Sequence, residues 1–297
     1  MSEGRTAMSH DDPSDPVPRS RRLQLQHVDL HYLEWGAAQS PPLLLVHGGS
    51  AHAHWWDHIA VELAQDYRVI ALDLRGHGES GWVTPPSYEI DDYAADIAEV
   101  AEHLQLAPFI LMGHSLGGLV AQTYAARHPS TLVALVIVDM GPRLQHNRRT
   151  QLLSRVPTPM YQDTNDLFRR FRLLPEETHA APQLLQHIAR YGARELADGR
   201  LTLKVDRATF VRRSHDISDQ LCAITCPTLL VRGAESRALS AETAHEMQSC
   251  CLALQMAEIV NAGHHVFLDT PTEFLEAINH FLRSLHPVAP ATNALTL

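Results

Sequence analysis

Long apolar runs are missing from this sequence: no stretch approaches the roughly 20 residues that a membrane-crossing helix requires, so no membrane partner is expected. Basic residues are also in short supply, with 24 Lys and Arg against 34 Asp and Glu and a formal net charge of −10. That balance argues against a nucleic-acid or anionic-membrane partner and otherwise speaks to solubility. Only four cysteines are present, Cys222, Cys226, Cys250 and Cys251. The first twenty residues lack the apolar segment of a secretory leader, so a cytoplasmic location and free, buried thiols are expected. The cysteine spacings match neither a zinc nor a thioredoxin motif, and no metal or cofactor is expected. Internal repeats are absent. Histidines are plentiful, at 20, but scattered, and read as ordinary polar or interfacial residues.

What the chain does have is enough apolar material, 45% of 297 residues, for one large α/β domain or two ordinary ones. Its organising stretch is Phe109 to Ala126, FILMGHSLGGLVAQTYAA. An apolar run reading as a buried strand breaks at Gly113-His114-Ser115-Leu116-Gly117, and a helical pattern starts at once. A serine at a sharp strand-to-helix turn is held in strained backbone geometry, so glycines two residues to either side avoid clashes. Such a turn presents the serine hydroxyl at the end of a sheet, where the positive end of the following helix is aimed.

Upstream, residues 1–21 read as a disordered tail, and Arg22–Val28 and Leu30–Trp35 as an antiparallel pair. Leu43–Val46 reads as a strand buried on both faces and ends in His47-Gly48-Gly49-Ser50, a loop whose glycines let backbone N–H groups approach a ligand. Arg68–Leu72 leads into Asp73-Leu74-Arg75-Gly76-His77-Gly78-Glu79-Ser80, read as a hydrogen-bonded structural loop. Ile90–Leu106 is an amphipathic helix, and Leu132–Val138 a further buried strand that stops at Asp139. From Arg143 to Ser218 the texture changes to short helical pieces without strong strand runs, read as an inserted, mainly helical cap. Its arginines Arg143, Arg148, Arg149, Arg169, Arg170 and Arg172 read as a solvated face, with a grip on a substrate carboxylate as the alternative. The α/β rhythm resumes over residues 219–286 with strands at Pro227–Val231 and Leu254–Val260, the second ending in Asn261-Ala262-Gly263-His264-His265. Residues 287–297 read as a second tail.

The motifs HGGS at 47–50, DLRGHGES at 73–80, GHSLGG at 113–118 and NAGHH at 261–265 together resemble the α/β-hydrolase superfamily, in particular its capped esterase-like and carbon–carbon-hydrolase-like members. The resemblance implies a mostly parallel eight-stranded sheet with helices on both faces, a core of residues 22–142 and 219–286, and a cap over 143–218. It implies Ser115 as nucleophile, His264 as general base, and the N–H groups of Gly49 and Leu116 as an oxyanion hole. His265 is then a packing or cap-facing neighbour.

The acid departs from the commoner family pattern, which carries Asp three residues after the glycine ending the Pro227–Val231 strand; here that position is Ser236. Asp139 and Glu235 remain as the acid, with Asp139 preferred because some members of the superfamily take their acid from that place. The expected activity is cofactor-free cleavage of a small carboxylic ester or related acyl bond through an acyl-enzyme. Hydrolysis of a carbon–carbon bond in a ring-cleavage product, or ligand binding without catalysis, are the alternatives. The expected partner is a small-molecule substrate, and a homodimer is left open.

Overall fold

Eight strands form one sheet in the computed structural model, which describes residues 17–145 and 148–285. They are β1 (Arg19–Gln24), β2 (Asp29–Trp35), β3 (Pro42–Val46), β4 (Arg68–Leu72), β5 (Phe109–His114), β6 (Leu132–Val138), β7 (Thr228–Gly233) and β8 (Leu254–Ile259), in the spatial order β1-β2-β4-β3-β5-β6-β7-β8. Only β2 runs against its neighbours; every pairing from β4 to β8 is parallel. Parallel strands are buried on both faces, which is why β3, β5 and β6 read as unbroken apolar runs. Successive side chains nevertheless serve different layers. Leu44, Val46, Phe109 and Leu111 pack on one side with helices α2 (Ile90–His103), α3 (Leu116–Arg127) and α7 (Ala241–Cys250). Leu43, Leu45, Ile110 and Met112 pack on the other with α1 (Asp57–Leu63) and α8 (Pro271–Leu285).

Residues 143–218 form an insertion between β6 and β7. Besides helices α4 (Arg148–Arg155), α5 (Thr164–Arg170) and α6 (Pro182–Tyr191), it contains an antiparallel sheet of Met160–Tyr161, Ala193–Glu195 and Leu201–Leu203. The segment expected to be mainly helical thus also carries short strands, and strands of two or three residues are too short to show an alternating pattern. The Asp198-Gly199 turn closes the hairpin between the last two, with Gly199 at φ +81°. The chain leaves and re-enters the core through a short ribbon in which Arg143–Leu144 pairs with His215–Asp216.

The insertion lies over the loops that leave the carboxyl ends of the sheet. His52 Nε2 donates to Ile188 O (3.0 Å), Gly78 N–H to Lys204 O (2.9 Å) and His265 Nε2 to Pro175 O (2.9 Å). Two further expectations change. The first strand begins at Arg19, so residues 19–21 belong to the sheet rather than to a tail. Cys226 and Cys251 are buried, whereas Cys222 and Cys250 are exposed; all four are free. Residues 1–16, the whole of the second expected tail and the side chains of Arg148 and Arg149 lie outside the described residues. No helix among the described residues is long and apolar enough to cross a membrane.

Candidate active site

The strand order reverses between β3 and β5, which are adjacent, and open α/β sheets place ligands at such a switch point beyond the strands' carboxyl ends. Register aligns those ends: Val46 faces Gly113, His114 faces Val138, and Val138 faces Val231. His47, Ser115 and Asp139, each one residue further along, therefore emerge at a common level.

Ser115 occupies the turn from β5 to α3 with φ +52°, a region that costs a non-glycine residue free energy and that the surroundings must enforce. The flanking glycines explain how. A Cβ on Gly113 would stand 2.2 Å from Gly117 O, and one on Gly117 would stand 2.4 Å from Val46 O. Any larger residue would push the turn away from the sheet.

His264 joins the site from the loop after β8. Its Nε2 lies 2.9 Å from Ser115 Oγ and its Nδ1 lies 2.7 Å from Asp139 Oδ2. Asp139 is fully buried, has φ +49°, and accepts two more hydrogen bonds, from Gly233 N–H (3.1 Å) and Ser236 Oγ–H (2.5 Å). Glu235 is elsewhere, paired with the exposed His179 at 2.9 Å. An imidazole bridging a buried carboxylate and a hydroxyl can take the hydroxyl proton while the carboxylate fixes its tautomer and stabilises the imidazolium.

The glycine loop packs against this chain of hydrogen bonds. A Cβ on Gly48 would stand 3.1 Å from Ser115 Cβ, and one on Gly49 would stand 3.9 Å from Leu116 Cδ2. Leu116 opens α3, so its N–H is one of the first-turn donors without an intrahelical acceptor. His47 shapes the loop from beneath: its Nδ1–H donates to Gly48 O (2.7 Å) and its Nε2 accepts Leu74 N–H (3.0 Å), while burial holds its pKa below the usual value. Asp73 supports the same region, accepting from Ala53 N–H (2.6 Å), Glu79 N–H (2.9 Å) and His31 Nδ1 (2.7 Å), as a structural loop residue should.

The family follows from the sequence compared with others. A sequence model described as "alpha/beta hydrolase fold" matches residues 41–271. The chain belongs to the α/β-hydrolase family. It is 27% identical over 274 residues to an esterase of Mycobacterium tuberculosis, covering 90% of each chain. It is also 27% identical over 273 residues to the 2-(acetamidomethylene)succinate hydrolase of Mesorhizobium japonicum, covering 89% of this chain and 95% of that one. A crystal structure of E-2-(acetamidomethylene)succinate hydrolase superposes with a TM-score of 0.79 at 25% identity, covering 90% of this chain and 99% of that one. Like these relatives, this α/β-hydrolase is a hydrolase.

Four residues near the site were not foreseen in these roles. Ser236, passed over because it bears no charge, donates to Asp139. His114, the variable residue of the Gly-x-Ser-x-Gly turn, donates Nε2–H to the carbonyl of His264 (3.0 Å); burial keeps it neutral, with its pKa well below the usual value. His47 is the third. Arg212 is the fourth, and a local alternation places it. Val211 and Arg213 are exposed and line an outward cleft of about 390 Å³ with Tyr88 and Glu89. The residue between them points inward, and its Nη2 would stand 3.5 Å from a Cβ on Gly49. Burial draws the guanidinium pKa down, opposed by the nearby Tyr93 and Glu89. The arginines singled out in sequence do otherwise: Arg169 and Arg170 pair with Asp166 at the surface, Arg172 caps main-chain carbonyls, and Arg143 pairs with Asp216. A carboxylate grip by Arg169, Arg170 or Arg172 is thereby overturned. His265 faces the insertion, and burial lowers its pKa to about 4.

Proposed function

We propose that this α/β-hydrolase is a serine hydrolase that cleaves a small carboxylic ester or related acyl bond through an acyl-enzyme. The observation that carries the reading is His264 bridging Ser115 Oγ and Asp139 Oδ2. Ser115 Oγ attacks the acyl carbon as His264 Nε2 takes its proton, and Asp139 stabilises the resulting imidazolium through Nδ1–H. The carbonyl oxygen gains negative charge and is met by the N–H groups of Gly49 and Leu116. The tetrahedral intermediate then collapses, and the leaving oxygen receives the proton from Nε2. Water, deprotonated by the same nitrogen, releases the acid and restores Ser115. The insertion acts as a cap that walls the pocket and sheds water.

Arg212 beside the glycine loop favours substrates bearing a carboxylate near the scissile bond, because a guanidinium recognises a carboxylate through paired, charge-assisted hydrogen bonds. The same arginine supports a second reading, hydrolysis of a carbon–carbon bond in an acidic ring-cleavage product, and the succinate-type substrate named for one relative is likewise acidic. A fluorophosphonate probe tests the mechanism and a panel of neutral and acidic esters, amides and ring-cleavage products tests the substrate. Covalent labelling confined to Ser115 is expected. An unlabelled but folded protein would return the fold to a ligand-binding role.

A further inference from the structure

Away from the hydrogen-bond chain of Ser115, His264 and Asp139, a second group of ligating side chains gathers on the seam between core and insertion. His54 lies in the 3₁₀ turn Ala53–Trp56, Asp57 begins α1, and His187 lies on α6. Asp57 Oδ2 receives His54 Nδ1 at 2.8 Å and His187 Nε2 at 2.7 Å. One ligand atom from each of the three lies within 4.8 Å of the other two, and all three residues are partly buried. His54 is held in place by Tyr191 of α6, stacked on its ring at 3.7 Å between centroids.

Two imidazoles sharing one carboxylate oxygen can be a hydrogen-bonded joint and nothing more. A second observation goes further. The other carboxylate oxygen, Asp57 Oδ1, is buried and has no hydrogen-bond partner among the described residues. A buried carboxylate oxygen left without a donor is costly, and a cation among these ligand atoms would relieve that cost.

We propose that His54, Asp57 and His187 form a divalent-cation site suited to Zn²⁺, with an open position for water. Two imidazole nitrogens and a carboxylate, without thiolate, suit Zn²⁺ and its first-row neighbours rather than Mg²⁺ or Ca²⁺. Metal–ligand bonds of about 2.0–2.2 Å set tetrahedral ligand atoms about 3.3 Å apart, so the two contacts to Asp57 widen by about half an ångström and the two imidazole nitrogens, which lie within 4.8 Å of each other, settle at the same spacing. Each neutral imidazole frees its ligating nitrogen by carrying its proton on the other ring nitrogen, and the ionised carboxylate needs no change. Because His54 and Asp57 belong to the core and His187 to the insertion, the ion would tie one to the other.

The test is calorimetric titration of ZnCl₂ into the whole chain carrying Cys222→Ser and Cys250→Ser, which removes the exposed thiols, together with thermal unfolding with and without Zn²⁺. One Zn²⁺ per chain and a rise in Tm are expected. His187→Gln and His54→Asn each keep an N–H donor for Asp57 but remove an imidazole ligand, and should weaken binding at least tenfold and abolish the rise in Tm. No saturable binding by the parent chain overturns the site. So does binding that survives both substitutions, or that disappears only with His264→Ala, which would move the ion to the neighbourhood of Ser115.

Discussion

Ser236 donates its hydroxyl proton to Asp139 Oδ2 at 2.5 Å, so the side chain at the family's commoner acid position is bonded to the carboxylate proposed as the acid here, at the end of the neighbouring strand. The hydroxyl also accepts Ala238 N–H at 3.1 Å, which leaves its proton committed to Asp139. On the proposed assignment the charge sits at the end of β6 rather than of β7, and the serine at the other position helps to hold it.

This arrangement predicts a transferable acid. Asp139→Asn should lower kcat by about 10³–10⁴-fold, because the amide holds the imidazole in the wrong tautomer. Glu235→Gln should leave the rate within about twofold, since that carboxylate serves His179 at the surface. In the Asp139→Asn/Ser236→Asp double variant, steady-state kinetics should show at least a tenfold recovery over Asp139→Asn alone. A double variant as poor as the single one would mean that the loop after β7 cannot present a carboxylate to His264.

Ser115→Ala should reduce turnover on the order of 10⁴-fold or more, since the members of such a triad act as a unit. Alanine meets the same positive φ as serine, so the unfolding temperature should barely move. Retained activity in a purified, folded Ser115→Ala protein would place the nucleophile elsewhere.

Arg212→Gln should discriminate between substrates. For an ester bearing a carboxylate, kcat/KM should fall about 10–100-fold, the scale of one charge-assisted interaction. A neutral ester of the same size should change little. Equal losses on both would show that Arg212 supports the glycine loop rather than the substrate.

Acid sensitivity follows from the buried histidines. Burial lowers the pKa of His47, His77 and His114, and that of His265 to about 4. Unfolded, each would titrate near its ordinary value of about 6.5. Between the two values the unfolded chain binds more protons, so folding stability rises with pH there and is lost as pH falls below about 6.5. Each such histidine contributes a slope of roughly 1.4 kcal/mol per pH unit. Urea unfolding should give a plateau above pH 7 and a steep decline towards pH 5; a flat profile would contradict these protonation states.

The parallel sheet, the turn at Ser115 and the places of Ser115 and His264 were legible because each rests on a local signal: an unbroken apolar run, glycines at fixed spacing, a glycine before histidine. Asp139 was legible only as one of two carboxylates. The sequence shows that Ser236 lacks charge but not that its hydroxyl points across to β6, a relationship over 97 residues. Arg212 was missed for a related reason. Within the arginine-rich insertion, only the turn after the short helix Arg207–Phe210 decides which guanidinium faces inward. The histidines read as scattered are in part gathered by the fold, with His54 and His187 brought together although they are 133 residues apart in the chain.

The ribbon joining Arg143–Leu144 to His215–Asp216 has a consequence for how this chain can change. Ile217 N–H bonds Pro142 O at 3.1 Å, so the polypeptide departs and returns through a single gate in the core. Whatever is spliced between those two residues need satisfy only one short distance, whether it is long or brief, helical or extended. Asp139 and Ser115, the proposed acid and nucleophile, lie outside that segment, whereas Arg212 lies on it. An exchange at this one junction would replace the residue proposed to select the substrate without touching those proposed to break the bond.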